Sequence, residues 1–114
     1  MEIVYVSSKY CGTTKKFFIK ANIYCREAWE QGFLPIAPNN IVFQFLDQEE
    51  AEERHEGFKL GLMLMKLCDQ VWIVGEDYTK AMIEEIKYAK SLGKENQVLH
   101  NGYGGDKWKG FFLS

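Results

Sequence analysis

Apolar residues fall along this chain in two rhythms. Ile3 to Ser7 is a short apolar run, the pattern of a buried strand, and Val71 to Gly75 is a stronger one. Phe33 to Ala37 predicts a third strand, stopped by Pro38, and Gln97 to Leu99 a short last one. Between these runs the spacing becomes helical. Phe17, Ala21, Tyr24, Cys25 and Ala28 share one face of a first helix that Gly32 ends and Thr13 or Thr14 caps. In a second helix Phe58, Leu62 and Met65 form one stripe, and Leu60, Leu64 and Leu67 another. Two apolar stripes predict burial on two sides, one against the sheet and one at a subunit contact. Gly57 and Gly61, one turn apart, permit close approach of a neighbouring element. The charge run Glu49 to Arg54 reads as the solvated start of this helix. Tyr78 to Leu92 makes a third helix, with Gly93 as its stop. Asn39 to Glu50 reads as an irregular loop whose Ile41, Val42, Phe43, Phe45 and Leu46 must cover a pocket or a partner. The stretch NGYGGDKWKGFF reads as a glycine-rich tail with aromatic anchors.

Strands alternating with helices predict a single α/β domain over residues 1–114, with a mainly parallel sheet of four to five strands between helical layers. Ligands of such folds sit beyond the carboxyl ends of the strands, near the switch in strand order. Those ends carry Ser7 to Gly12, Pro38 to Phe45, and Gly75 to Thr79.

Composition narrows the function. Fourteen Lys and Arg against sixteen Asp and Glu give a net charge of −2, which argues against a protein held on a nucleic-acid polymer through phosphate contacts. With 46% apolar and 26% charged residues, disorder is not expected. No apolar run approaches the ~20 residues of a transmembrane helix. MEIVYV is strand-like from the first residue and lacks the regions of a signal peptide, so the cytoplasm is the expected compartment. Cys11, Cys25 and Cys68 are far apart, with no metal-ligand spacing to His55 or His100, so neither a disulfide framework nor a metal is expected. So much apolar surface in a short chain predicts a homodimer or a higher oligomer.

The third helix holds the most informative geometry. With Met82 at the centre of its buried stripe, Ile86 and Ala89 lie close to that centre at about 100° per residue. Glu85 lies about 60° away, at the border of the buried face, whereas Glu84 faces solvent. Ala81, one turn earlier, leaves room above the Glu85 carboxylate. The plain alternative is a rim glutamate paired with a lysine. Asp69 precedes its strand, which places it at the other end of the sheet in a structural role.

Four segments carry a family resemblance: VYVSS, CREAWEQGFLPIAPNNIVFQFLD, CDQVWIVG and TKAMIEEIKYA, with Arg54, Gly57 and Gly61 as R-x-x-G-x-x-x-G. In order and spacing they resemble the nucleoside 2-deoxyribosyltransferase-like superfamily, and within it small bacterial and phage members. The resemblance implies a flavodoxin-like (Rossmann-like) three-layer sandwich and a pocket for a nucleoside or nucleotide, with no cofactor. It implies Glu85 as the nucleophile that attacks the anomeric carbon, with Tyr5 beside it. It implies Thr79, Ser8 and Lys9 as holders of a 5′-phosphate or of ribose hydroxyls, Thr79 having a plain helix cap as its alternative. Ser7, Gly12, Asn39 and Met82 complete the expected binding set. The chain also departs from that pattern. Active members carry a second carboxylate where Gly61 stands, so leaving-group protonation has no evident donor. Nucleotide hydrolases have arginine at Cys11 and serine at Lys9; the nearest relatives have histidine at Asn39 and favour glycine at Ala81. Two functions remain open: cleavage or transfer at an N-glycosidic bond, and a non-catalytic protein that sequesters a nucleotide or an ADP-ribose-like signal.

Overall fold

The structure is a computed structural model that describes residues 1–8, 15–74, 78–100 and 109–113. Lys9, Cys11, Gly12, Thr13, Thr14, Gly75 and the glycines at 102–105 lie outside the described residues, as do the side chains of Phe17 and His100. The elements run β1 (Ile3–Ser7), α1 (Lys15–Glu30), β2 (Leu34–Ile36), α2 (Pro38–Val42), α3 (Ala51–Lys66), β3 (Gln70–Val74), α4 (Lys80–Ser91), β4 (Glu95–His100) and β5 (Lys109–Leu113). The sheet order is β2-β1-β3-β4-β5, with β1, β2, β3 and β4 parallel and β5 antiparallel to β4. This is the α/β, Rossmann-like arrangement. The chain leaves β1 towards one edge and β3 towards the other, so the switch point lies between them.

The alternation of side chains along β1 and β3 divides the core. Val4, Val6, Trp72 and Val74 point to one face, where Ala21, Tyr24 and Ala28 of α1 cover them. Tyr5, Val71 and Ile73 point to the other, against Met65 of α3 and Met82 and Ala89 of α4. Every residue of β3 is buried, as a parallel strand covered on both faces requires. Trp72 packs edge-on against Phe33, centroids 5.5 Å apart. Its indole N–H donates to Gln70 Oε1 at 2.9 Å, and the Gln70 amide donates to Glu2 at 2.9 Å, which satisfies a buried polar side chain. Asp69 ties the opposite end of the sheet: its carboxylate accepts from Ile3 N at 2.7 Å, and its own N–H donates to Ile3 O.

Two expectations are corrected. The segment from Asn39 is not an irregular loop throughout, because Pro38 opens the short helix α2. A proline after a strand reads as a stop, yet it fits the first helical position, where its missing N–H costs nothing. The end of the chain is not simply a tail, since 109–113 pairs with β4 from His100↔Lys109 to Asn96↔Leu113. The Gly32 and Gly93 stops have φ of +94° and +72°, conformations that favour glycine.

The second predicted helix, α3, buries Gly57, Gly61 and Met65, and Leu62 of the same stripe as Met65 packs, partly buried, against that core, whereas Leu67 of the other stripe is exposed. A Cβ at Gly57 would stand 2.8 Å from the Phe43 ring, so the glycine lets the chain after α2 lie directly on α3. Met63 and Leu67 are exposed in the single chain. No helix among the described residues is long and apolar enough to cross a membrane.

Candidate functional site

Period-two alternation puts Tyr5 and Ser7 on the same face of β1, at its carboxyl end. Opposite them, α4 begins at a real cap: Thr79 Oγ1 accepts from Met82 N at 3.1 Å. That start sets the rotation of the helix and turns Met82, Glu85 and Ala89 inward while Glu84 stays exposed, 3.9 Å from Lys87 Nζ. The Tyr5 hydroxyl donates to Glu85 Oε2, and the Ser7 hydroxyl donates to Oε1 at 2.9 Å. Both oxygens of one buried carboxyl group are thereby held by donors from a single strand.

Burial raises the Glu85 carboxyl above its ordinary range, while the hydrogen bonds from Tyr5 and Ser7 pull it back down. Tyr5 is pushed well above the usual phenol value, first by burial and then by the charge of Glu85, so it stays protonated and remains a donor. Tyr5→Phe removes a bond that favours the ionised acid. The Glu85 titration is expected to move to higher pH, as followed by carboxyl carbon NMR; an unchanged or lower midpoint would contradict this.

The acid opens onto a cleft of about 100 Å³. Tyr5, Gly61 and Ala81 surround Glu85 there, Asn39 and Phe43 border it from the α2 side, and Gly57, Phe58, Arg54 and Gln48 continue it along α3 and its approach. Gly61 sits in a close approach, because an added Cβ would stand 3.3 Å from the Tyr5 hydroxyl, a tight contact, and 3.6 Å from Pro38, an ordinary one. Where the resemblance implies a second carboxylate, this chain has a tyrosine oxygen pressed against a glycine. Among the described residues, no group of His, Cys, Asp and Glu is arranged to hold a metal. Cys25 and Cys68 are free, and burial pushes each thiol up to about 11.

Of the expected site residues, Tyr5, Asn39 and Glu85 border the cleft. Ser7 is buried and reaches Glu85. Met82 is 1% exposed, packs into the core and does not border the cleft. Thr79 spends its hydroxyl oxygen on the helix cap, the alternative already stated for it. Ser8 is half-buried and does not border the cleft. Lys9 and Gly12 lie outside the described residues. From the sequence, Gly57 and Gly61 are expected to permit close approach, Phe43 to cover a pocket or a partner and Phe58 to lie in an apolar stripe, whereas Arg54 stands only in a motif and a charge run and Gln48 is not a candidate. The apolar stretch 41–46 was the available signal, and Phe43 does cover a pocket.

The solved 2-deoxyribosyltransferase of the psychrotolerant bacterium Bacillus psychrosaccharolyticus has a similar fold. It superposes with a TM-score of 0.69 at 17% identity, over 87% of this chain and 72% of that one. No curated protein matches the chain. A family model described as a domain of unknown function, DUF7768, matches residues 2–99. The match spans nearly the whole sheet and every element that borders the cleft, and the chain belongs to the DUF7768 family.

Proposed function

We propose that this protein binds a nucleoside in the cleft, with the anomeric carbon facing Glu85, and that Glu85 acts on the N-glycosidic bond. The observation that carries this reading is the pairing of one buried carboxyl group with two fixed donors at the mouth of a cleft beside the switch point. In the ionised form, a Glu85 oxygen bonds to the anomeric carbon as the C–N bond breaks. The bonding pair leaves with the base, which takes a proton from solvent. Water or a second base then displaces the glycosyl ester and returns the carboxylate. Tyr5 and Ser7 orient the acid throughout. The likeness in fold to a 2-deoxyribosyltransferase supports the choice of ligand class.

Gly61 favours a second reading, binding without turnover of a nucleotide or an ADP-ribose-like signal. A carboxylic acid at that position would crowd the Tyr5 hydroxyl, so the departing base has no acid of that kind beside it. A panel of nucleosides, nucleotides and ADP-ribose separates the two. Free base in the chromatogram supports cleavage. A raised melting temperature with the ligand recovered intact supports binding alone. Neither effect with any member of the panel overturns both.

A further inference from the structure

Arg54 is not used by the chemistry above, yet it borders the same cleft. It lies seven residues before Gly61, so the two backbones are about 10 Å apart along α3. Tyr5 and its bonded Glu85 meet the helix at Gly61. Between these points the Phe43 ring lies on Gly57, and Phe58 also faces the cleft. The order along the groove is therefore acid, aromatic rings, guanidinium. A nucleoside presents its parts in the same order: sugar, flat base, polar base edge. Aromatic faces hold such a ring by stacking.

The surroundings of Arg54 decide what it reads. One guanidinium nitrogen donates to Gln48 O at 3.0 Å, which fixes the fork. Arg54 makes no ion pair among the described residues. The stretch 47–56 carries Asp47, Glu49, Glu50, Glu52, Glu53 and Glu56 against this single arginine. The carboxylates of Asp47, Glu50 and Glu53 accept from backbone N–H groups of the turn and the helix start at 2.9–3.0 Å, so they are fixed at the end of α3 that carries Arg54. A phosphate dianion would meet that negative field, whereas an uncharged ring would not. A fork of donors suits a base edge with two adjacent acceptors, the O6 and N7 of a 6-oxopurine. Adenine offers one donor and one acceptor there.

We infer that the cleft selects 6-oxopurine nucleosides, with Arg54 reading O6 and N7 while the sugar lies on Glu85. This rests on the nucleoside reading above. Titration calorimetry with 2′-deoxyguanosine, 2′-deoxyinosine, 2′-deoxyadenosine, thymidine and 2′-deoxyguanosine 5′-monophosphate tests it. The two 6-oxopurines are expected to bind about tenfold or more tightly than the other nucleosides. Arg54→Ala and Arg54→Lys should both erase the base preference, the second because it keeps the charge but loses the fork. Equal binding of all bases, or a preference that survives either substitution, overturns this inference alone. A monophosphate that binds more tightly, with the gain lost in Arg54→Ala, makes Arg54 a phosphate site and also overturns it. Failure of every nucleoside to bind overturns the underlying reading as well.

Discussion

Glu85→Gln is expected to lower base release at least ~1,000-fold while nucleoside binding survives within a small factor. The amide fills the same space, and the Tyr5 and Ser7 hydroxyls can each turn to accept or donate. The substitution carries a second, opposite consequence for stability. An unfolded glutamate ionises near its ordinary value of 4.5, whereas the folded-state value is raised by burial. Between those two values the folded protein still holds a proton that the unfolded chain has given up. The contribution of Glu85 to stability is therefore complete at acid pH and is lost as pH rises through the folded value. Glutamine cannot ionise, so the variant should melt higher than its parent on the alkaline side, with the gap closing below about pH 4.5. Each kcal/mol relieved corresponds to about 4 °C in a domain of this size. Melting curves across pH check this. A variant that melts lower at neutral pH would mean that the two donors outweigh the burial cost.

Trp72→Ala is expected to destabilise the fold by about 3–5 kcal/mol, a fall of about 12 °C or more in melting temperature. Trp72 is 1% exposed at the centre of the sheet, between Phe33 and the α1 face. Truncation opens a cavity and also leaves Gln70 Oε1 without its indole donor. Trp72→Phe keeps most of the volume and isolates the hydrogen-bond part, worth about 1 kcal/mol. Chemical denaturation of the two variants checks the split. Near-equal losses would show that packing against Phe33 contributes little.

Much of this arrangement was legible in the sequence because it depends on periodicity. The run Ile3 to Ser7, the run from Val71 and the helical spacing around Met82 each fix which side chains share a face, and Glu85 followed from that rotation. Asp69 was legible as structural for the same kind of reason, since its place before β3 sets which end of the sheet it occupies. The short helix α2 was not legible, because five residues are too few to display a helical period. Nor was β5, whose residues lie at the sheet's edge and become a strand only through pairing with β4.

By itself, then, the sequence determined the α/β order of elements and the inward turn of one glutamate, since both follow from the geometry of a single helix or strand. Only the tertiary structure decided what Glu85 meets there. Tyr5 and Ser7 are 80 and 78 residues away along the chain, and they reach its two oxygens only because β1 lies beside β3. The tertiary structure alone also decided that Gly61 faces the Tyr5 hydroxyl and that Arg54 borders the cleft. Contacts between distant segments depend on how elements pack, and no local pattern of residues encodes that distance.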